Sequence, residues 1–184
     1  MADQQNTQAD QRRAALPVEV ARILDQGQSG AVGQQVFARA LDVVADAFDA
    51  PTATLHAVDA AGDPDRPDLV AVADRGLPEA VRAHTRRIPF GRGMAGICAE
   101  RRQPVTVCNL QTDSSGVVRP GARETGVAGA IVVPLLASDG RRLIGTLGIG
   151  KAGEHTYTED EQRLLAACAA ELARALGAGR WTAD

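Results

Sequence analysis

The most apolar stretch of the chain, residues 128–149, reads AGAIVVPLLASDGRRLIGTLGI. Its two halves, Ala128–Leu136 and Leu143–Ile149, have the length and the aliphatic content of buried strands. Ser138-Asp139-Gly140 lies between them and is typical of a turn. The stretch therefore predicts a β-hairpin.

Three further strands are predicted upstream of the hairpin. Thr52–Val58 alternates polar and apolar residues, as expected of a half-buried strand. Leu69–Ala73 is predicted to be the returning strand, because the residues before it are rich in Gly, Asp and Pro. Pro104–Cys108 is predicted to be another short strand.

Helices are predicted at both ends of the chain and between the strands. Apolar residues recur at three- and four-residue spacing in Val36–Phe48, and Pro17 marks the start of an earlier apolar stripe. Pro78–Thr85 and the small residues up to Glu100 predict two short helices. A capping box at residues 158–161 opens a last helix, whose apolar seam consists of Leu165, Cys168, Leu172 and Leu176.

This order of elements predicts an α+β fold, in which an antiparallel sheet is covered by helices on at least one face. A length of 184 residues fits one domain, for which we expect residues 17–177. Residues 1–16 are polar without an apolar period, and we expect a disordered or frayed lead-in there. Residues 178–184 are expected to be a tail.

Composition and charge exclude several function classes. Aromatic residues make up 3% and the net charge is −3, so the chain lacks stacking platforms and a basic field for nucleic acid or anionic lipid. No apolar run approaches the ~18 residues of a membrane span, and the polar N-terminus is not that of a signal peptide. Three cysteines do not make a disulfide framework, so we expect a cytoplasmic protein.

The first strand carries the first candidate binding residues. Thr54 and His56 share its polar side with Thr52. If that side lines a cavity, His56 can hydrogen-bond a ligand or coordinate a metal; the alternative is a histidine satisfied in the core or at a sheet edge. No close cluster of His, Cys and Asp has the spacing of metal ligands, so no metal site is predicted and the cofactor stays open.

The polar segment Asn109–Arg123 is long for a loop and carries a second set of candidates. Arg119 and Arg123 offer planar guanidinium groups that suit a carboxylate or phosphate, and Asp113 can accept from an amine. With the hydroxyl of Thr125, they indicate a small polar or zwitterionic ligand. The alternative is a solvated loop in which Arg119 pairs with Asp113.

Two of the three cysteines are candidates for chemistry. Cys108 follows a predicted strand, where a thiol can act as redox sensor, nucleophile or metal ligand, unless it is simply a small buried hydrophobe. Cys98, ten positions earlier, is expected in the core, although both thiols can face one cavity. Cys168 falls on the seam of the last helix and is expected to serve packing.

The middle of the chain resembles a GAF domain, the small-molecule-binding module of many signalling proteins. The resemblance covers about residues 33–176 and is carried by the order and spacing of several fragments: Gly91-Arg92-Gly93-Met94-Ala95-Gly96, Gln103-Pro104-Val105-Thr106-Val107, Val133-Pro134-Leu135, Gly140, Ile144-Gly145-Thr146-Leu147 and Thr158-Glu159-Asp160.

The resemblance implies a six-stranded antiparallel sheet with the terminal helices packed on one face. On the other face, short helices and loops would enclose a ligand pocket. In this chain the covering segments would be Gly91–Glu100 and Asn109–Thr125, which adds Met94 and Cys98 to the ligand-binding candidates.

Three functions follow as hypotheses. The first is a ligand-sensing or regulatory domain that acts through a separate partner chain, because the sequence holds no helix-turn-helix, kinase or cyclase segment. The second is a stand-alone thiol redox enzyme that uses Cys108 and is distantly similar to free methionine-R-sulfoxide reductases. The third is a dimerisation scaffold, in which the helix stripes of Val36–Phe48 and Leu165–Leu176 pair with a second copy; a homodimer is compatible with all three.

The enzyme hypothesis departs from its family model at two places. Those reductases carry a Cys directly between glycines, where this chain has Met94-Ala95-Gly96. They also carry a His-containing loop that ends in a Cys-Asp pair, and Asn109–Thr125 contains no such pair. The resemblance therefore transfers no catalytic residue.

Overall fold

The computed structural model describes the backbone of residues 2–26, 33–115, 117, 120–179 and 181, and the side chains of these residues from 13 onward except that of residue 120. Twelve elements follow in chain order: α1 (Ala2–Asp25), α2 (Gln34–Ala47), β1 (Thr52–Val58), β2 (Asp68–Arg75), α3 (Glu79–Thr85), β3 (Arg87–Pro89), α4 (Gly93–Arg101), β4 (Val105–Val107), a short 3-10 helix (Pro120–Thr125), β5 (Ala130–Leu136), β6 (Leu143–Gly150) and α5 (Glu159–Gly177).

The six strands form one antiparallel sheet in the order β3-β2-β1-β6-β5-β4. The predicted hairpin is β5–β6, in which Ile131 pairs with Ile149 and Val133 with Leu147. β6 also pairs with β1, so the hairpin provides the centre of the sheet. The predicted α+β class and the antiparallel sheet are confirmed.

Helices α2 and α5 cover one face of the sheet, the core face, and α1 packs against these two helices. The largest fully buried side chains there include Phe37 from α2, Leu165 and Leu172 from α5, and Leu55 and Leu147 from the sheet. Burying such side chains is the main stabilising contribution to the fold. None of the helices in the described ranges is long and apolar enough to cross a membrane.

The predicted capping box at the start of α5 is confirmed. The backbone N–H of Glu161 donates to Thr158 Oγ1 at 3.2 Å, and the backbone N–H of Thr158 donates to the Glu161 carboxylate at 2.9 Å. These bonds satisfy two backbone donors that a helix start would otherwise leave unpaired.

The first helix begins earlier than the sequence predicts. α1 starts at Ala2 and contains Pro17, whereas the sequence predicts a helix start at that proline. The frayed lead-in over residues 1–16 stays a prediction. Leu16 and Val20 are buried in the core, so packing fixes the turn on either side of the proline. The tail also contributes to the core, since Trp181 packs against it.

The two apolar stripes that predict a helical dimer are used inside the chain itself. Phe37, Leu41 and Val44 of α2 and Leu165 and Leu172 of α5 are fully buried in the core. These stripes therefore cannot also pair with a second copy, because their apolar surface already contacts the sheet and the neighbouring helices. The homodimer stays a prediction.

A methyl group at Gly145 of β6 should destabilise the fold strongly. An added Cβ would lie 2.0 Å from the backbone oxygen of His56 on β1, and backbone cannot move aside as a flexible side chain can. We expect Gly145→Ala to lower the free energy of unfolding by about 3 kcal/mol in urea denaturation.

The matched control for that substitution is Gly153→Ala. Gly153 lies in a loop where a Cβ would meet nothing within 4 Å, so its effect should stay within about 0.5 kcal/mol. Equal stabilities of the two variants would contradict the close approach of β1 and β6.

Candidate functional site

The face of the sheet opposite the core face is hollowed by two glycines of β6. Gly148 pairs with Thr54 and Gly150 with Thr52 on β1. A Cβ on Gly148 would lie 2.8 Å from Thr54 Oγ1, and one on Gly150 would lie 2.7 Å from Thr52 Oγ1. The two glycines therefore let the threonine side chains lie close against β6, and all four residues line a space above the centre of the sheet. We call this lining surface the cavity floor.

Three segments cover this floor, and together they form the roof: α3, the start of α4 and the 3-10 helix. Arg82 fixes α3 to the sheet, since its Nε donates to Asp74 Oδ1 of β2 at 3.0 Å. Nη2 of Arg82 also donates to the carbonyl oxygen of Leu77 at 3.3 Å. α3 in turn contacts the 3-10 helix, so the roof segments support one another.

Floor and roof enclose a cavity of about 430 Å³, within the usual size range of small-molecule sites. Exposed side chains at its edge, among them His84, Arg92 and Glu124, mark where it opens to solvent. Most of the lining is apolar or glycine: Ala53, Leu77, Ala80, Val81, Ile88, Gly93, Met94, Ala95, Leu110, Gly121, Ala122, Val127, Ala130, Ile131, Val132, Gly148, Ile149 and Gly150. Polar groups come from Thr52, Thr54, His56, His84, Thr85, Arg92, Glu124 and Thr125.

His56 is the most deeply buried titratable side chain of this lining. It is 2% exposed, and its Nε2 lies 2.9 Å from the carbonyl oxygen of Thr85 at the end of α3. Burial lowers its pKa, and the bond to Thr85 and the charge of Asp74 offset this only in part. The ring is therefore uncharged at neutral pH.

Four of the predicted ligand-binding residues line the cavity: Thr54, His56, Met94 and Thr125. Thr54 and His56 were found by the alternation of β1, and Met94 by the glycine-flanked segment of the family resemblance. Thr125 turns its hydroxyl back to the carbonyl oxygen of Ala122, to which it donates at 2.6 Å.

The two candidate cysteines do not belong to the cavity lining. Cys98 is fully buried beside Ile97, Val105 and Val132, and burial raises the pKa of its thiol to about 12. Cys108 is exposed at the end of β4, and its Sγ accepts from Thr156 Oγ1 at 3.6 Å. The lining contains neither Cys98 nor Cys108, so it does not support the prediction that both thiols face one cavity.

Asp113 and Arg123, two of the predicted charged loop residues, also lie outside the lining. Arg123 Nη2 donates to the backbone oxygen of Asp113 at 3.0 Å, so the two residues are tied to each other on the surface. Arg119 lies outside the described residues. Within the described ranges, no group of three or more His, Cys, Asp and Glu side chains is placed to hold a metal ion.

Arg92 and Glu124, the charged residues that reach the cavity, lie in the predicted covering segments, but sequence reasoning did not single them out as ligand-binding candidates. It also missed the contribution of α3, whose Val81, His84 and Thr85 line the roof. Arg92 stands between two glycines of positive φ, Gly91 (76°) and Gly93 (61°), and that pattern was a usable indication of a special turn.

A GAF domain family model matches residues 34–177. The chain belongs to the GAF family. This GAF domain carries the small-molecule-binding sensory fold that the sequence resemblance implied. No curated protein sequence matches it significantly.

Solved structures with the same fold include both enzymes and domains of larger proteins. A free methionine-R-sulfoxide reductase from Neisseria meningitidis, in complex with its substrate, is 25% identical over 94% of this chain and 92% of that chain, with a TM-score of 0.71. The GAF domain from a phosphoenolpyruvate-protein phosphotransferase of Coxiella burnetii is 22% identical over 91% of this chain and 96% of that chain, with a TM-score of 0.69. The corresponding domain from Acinetobacter is 16% identical over 89% and 94%, with a TM-score of 0.65.

The buried ring of His56 should make the GAF domain less stable in mild acid. Its pKa in the folded state lies below the ordinary value of 6.5, so the unfolded chain takes up the proton first. Stability is therefore complete above pH 6.5 and falls as the pH drops toward the folded pKa, by up to about 1.4 kcal/mol per pH unit from this group.

Urea denaturation between pH 5 and pH 8 measures this dependence, with His56→Gln as the comparison. The carboxyls of Asp59, Asp139 and Glu161, whose pKa values are also lowered, lose their contribution only at lower pH. The variant should show a shallower decline. A decline as steep as that of the unmodified protein would contradict the assignment to His56.

Proposed function

We propose that the protein is a sensory or regulatory GAF domain that binds a small molecule in the cavity and acts through a separate partner chain. The observation that carries this proposal is the cavity itself, about 430 Å³ between a glycine-hollowed floor and a roof of short helices. A space of this size next to buried polar groups is the usual form of a ligand site.

The chemistry of the lining supports a small polar or zwitterionic ligand. Thr52 and Thr54 carry hydroxyl groups and line the cavity floor. Arg92 and Glu124 bring opposite charges to its edge, and no ion pair is formed by either within the described part of the chain. Opposite charges at the opening of an apolar cavity suit a molecule with an acidic and a basic end.

The roof is the part of the molecule through which a bound ligand would act on a partner. The opposite face of the sheet is packed with large buried side chains and resists change. The roof is held in part by exposed polar contacts, such as the Arg82–Asp74 pair. A ligand that contacts floor and roof together therefore shifts the population of roof conformations. We expect the protein to act in the cytoplasm. We also expect a homodimer, and the apolar side chain of Val18 on α1, which is 71% exposed, is available for that contact.

Native mass spectrometry of the purified protein, compared with its denatured spectrum, tests the proposal. A non-covalent mass that is lost on denaturation identifies a ligand, and the native mass gives the oligomeric state. A protein of clean apo mass is then screened with amino acids, nucleotides and small anions by thermal shift. Failure of every compound to bind would count against the ligand-binding function.

Filling the cavity floor should weaken binding. The Cβ of Gly148→Ala would lie 2.8 Å from Thr54 Oγ1 and 3.3 Å from Val132 Cγ2. We expect the variant to bind the identified ligand at least ~10-fold more weakly in calorimetry, because the added group forces the side chains of Thr54 and Val132 on the cavity floor to shift. Gly153→Ala should bind as the unmodified protein does, and similar weakening in both variants would place the ligand elsewhere.

Thiol redox enzymology is the second candidate, favoured by the 25% identity to the Neisseria meningitidis reductase. The cavity lining contains neither Cys98 nor Cys108, so a substrate held there meets no thiol. We therefore expect no dithiothreitol-dependent loss of free methionine-R-sulfoxide above a no-protein control. Turnover that is abolished by Cys108→Ser and kept by Cys168→Ala would reverse this choice.

A further inference from the structure

The imidazole ring of His56 lines the cavity in one defined tautomer. Its Nε2 lies 2.9 Å from the carbonyl oxygen of Thr85. A carbonyl oxygen only accepts hydrogen bonds, so Nε2 carries the hydrogen. Because the ring is uncharged at neutral pH, Nδ1 is left as a lone pair that accepts.

This acceptor has no donor within the described part of the chain. Nδ1 of His56 is buried without a hydrogen-bond partner, although His56 lines the cavity. The same holds for Oγ1 of Thr146, the residue that pairs with His56 across β1 and β6. Buried polar atoms in native proteins are nearly all paired, so an unpaired acceptor beside a cavity points to a missing donor.

The surroundings of the ring favour a donor without charge. Among the described residues, Asp74 is the ionised group whose charge acts on His56, and its carboxylate is already engaged by Arg82. A charged group of a ligand at this depth would lose its hydration without gaining a free counter-charge. The ionised side chains of the lining, Arg92 and Glu124, are exposed at the edge of the cavity.

We infer that the ligand carries, at its buried end, an uncharged N–H or O–H group that donates to Nδ1 of His56. The suitable chemical classes are alcohols, phenols, amides and N–H heterocycles, and methylation of the donor removes the interaction. This inference rests on the proposed ligand-binding function of the cavity and narrows the ligands it accepts.

Matched probe pairs that differ only in the donor test it: phenol with anisole, and indole with 1-methylindole. The full chain, labelled with ¹⁵N, is titrated while backbone amide shifts of the cavity residues and the ring-nitrogen shifts of His56 are followed by NMR. We expect the donor member of at least one pair to bind about tenfold more tightly than its methylated partner. It should also move the Nδ1 resonance toward lower shift.

Two variants separate the acceptor from its neighbours. His56→Gln keeps a donor for the Thr85 carbonyl and lacks the acceptor at Nδ1, so the two members of each pair should bind equally. Thr146→Val removes the hydroxyl across the strands and should leave the preference unchanged. Loss of folding in the glutamine variant would leave the Nδ1 shift of the unmodified protein as the deciding measurement.

Three results would overturn the inference. Equal binding of both members of each pair, with Nδ1 unmoved, overturns the donor requirement and leaves the ligand-binding function standing. A ligand-free Nδ1 resonance that moves in Thr146→Val shows that the threonine already supplies the donor. If no probe moves the NMR signals of any cavity residue, the inference is overturned. The proposed function is overturned separately, by a screen in which no amino acid, nucleotide or anion binds.

Discussion

The pairing of β1 with β6 is the contact on which both the core and the cavity depend. Leu55 faces Leu147 across this pair and lies in the core, whereas Thr54 faces Gly148 and lies on the cavity floor. Successive residues of a strand point to opposite faces, so a register slip of one residue would exchange the two sets. The same hydrogen bonds therefore position the buried leucines and the floor of the ligand site.

The two faces of this sheet differ in how firmly they are covered. On the core face, α1, α2 and α5 bury a continuous set of large aliphatic and aromatic side chains. On the cavity face, the attachment of α3 includes the partly exposed Arg82–Asp74 pair and the bond from His56 to Thr85. Partly exposed ion pairs contribute little free energy, so the roof is the part of the fold that a ligand can most readily rearrange.

Local sequence patterns were sufficient to predict a helix or strand wherever that element carries its own periodicity or cap. The alternation of Thr52–Val58 and the aliphatic runs of the hairpin gave strands at nearly the observed bounds, and Thr158 with Glu161 gave the start of α5. β3 was not predicted, because three residues are too few to show an alternation. The turn of α1 directly before Pro17 was not predicted, because Leu16 packs in the core and the polar residues before it show no apolar period.

For the candidate site, the sequence by itself determined which side of β1 is polar and that the glycine-flanked segment around Met94 belongs to a GAF domain. Only the tertiary structure decided which residues share the cavity. It brought Arg92, Glu124 and α3 to the edge and left Cys108 and Arg123 outside the lining. It also left Nδ1 of His56 without a partner. The physical reason is that a cavity is formed by surfaces far apart in the chain, whereas alternation, caps and spacing report only on neighbours along it.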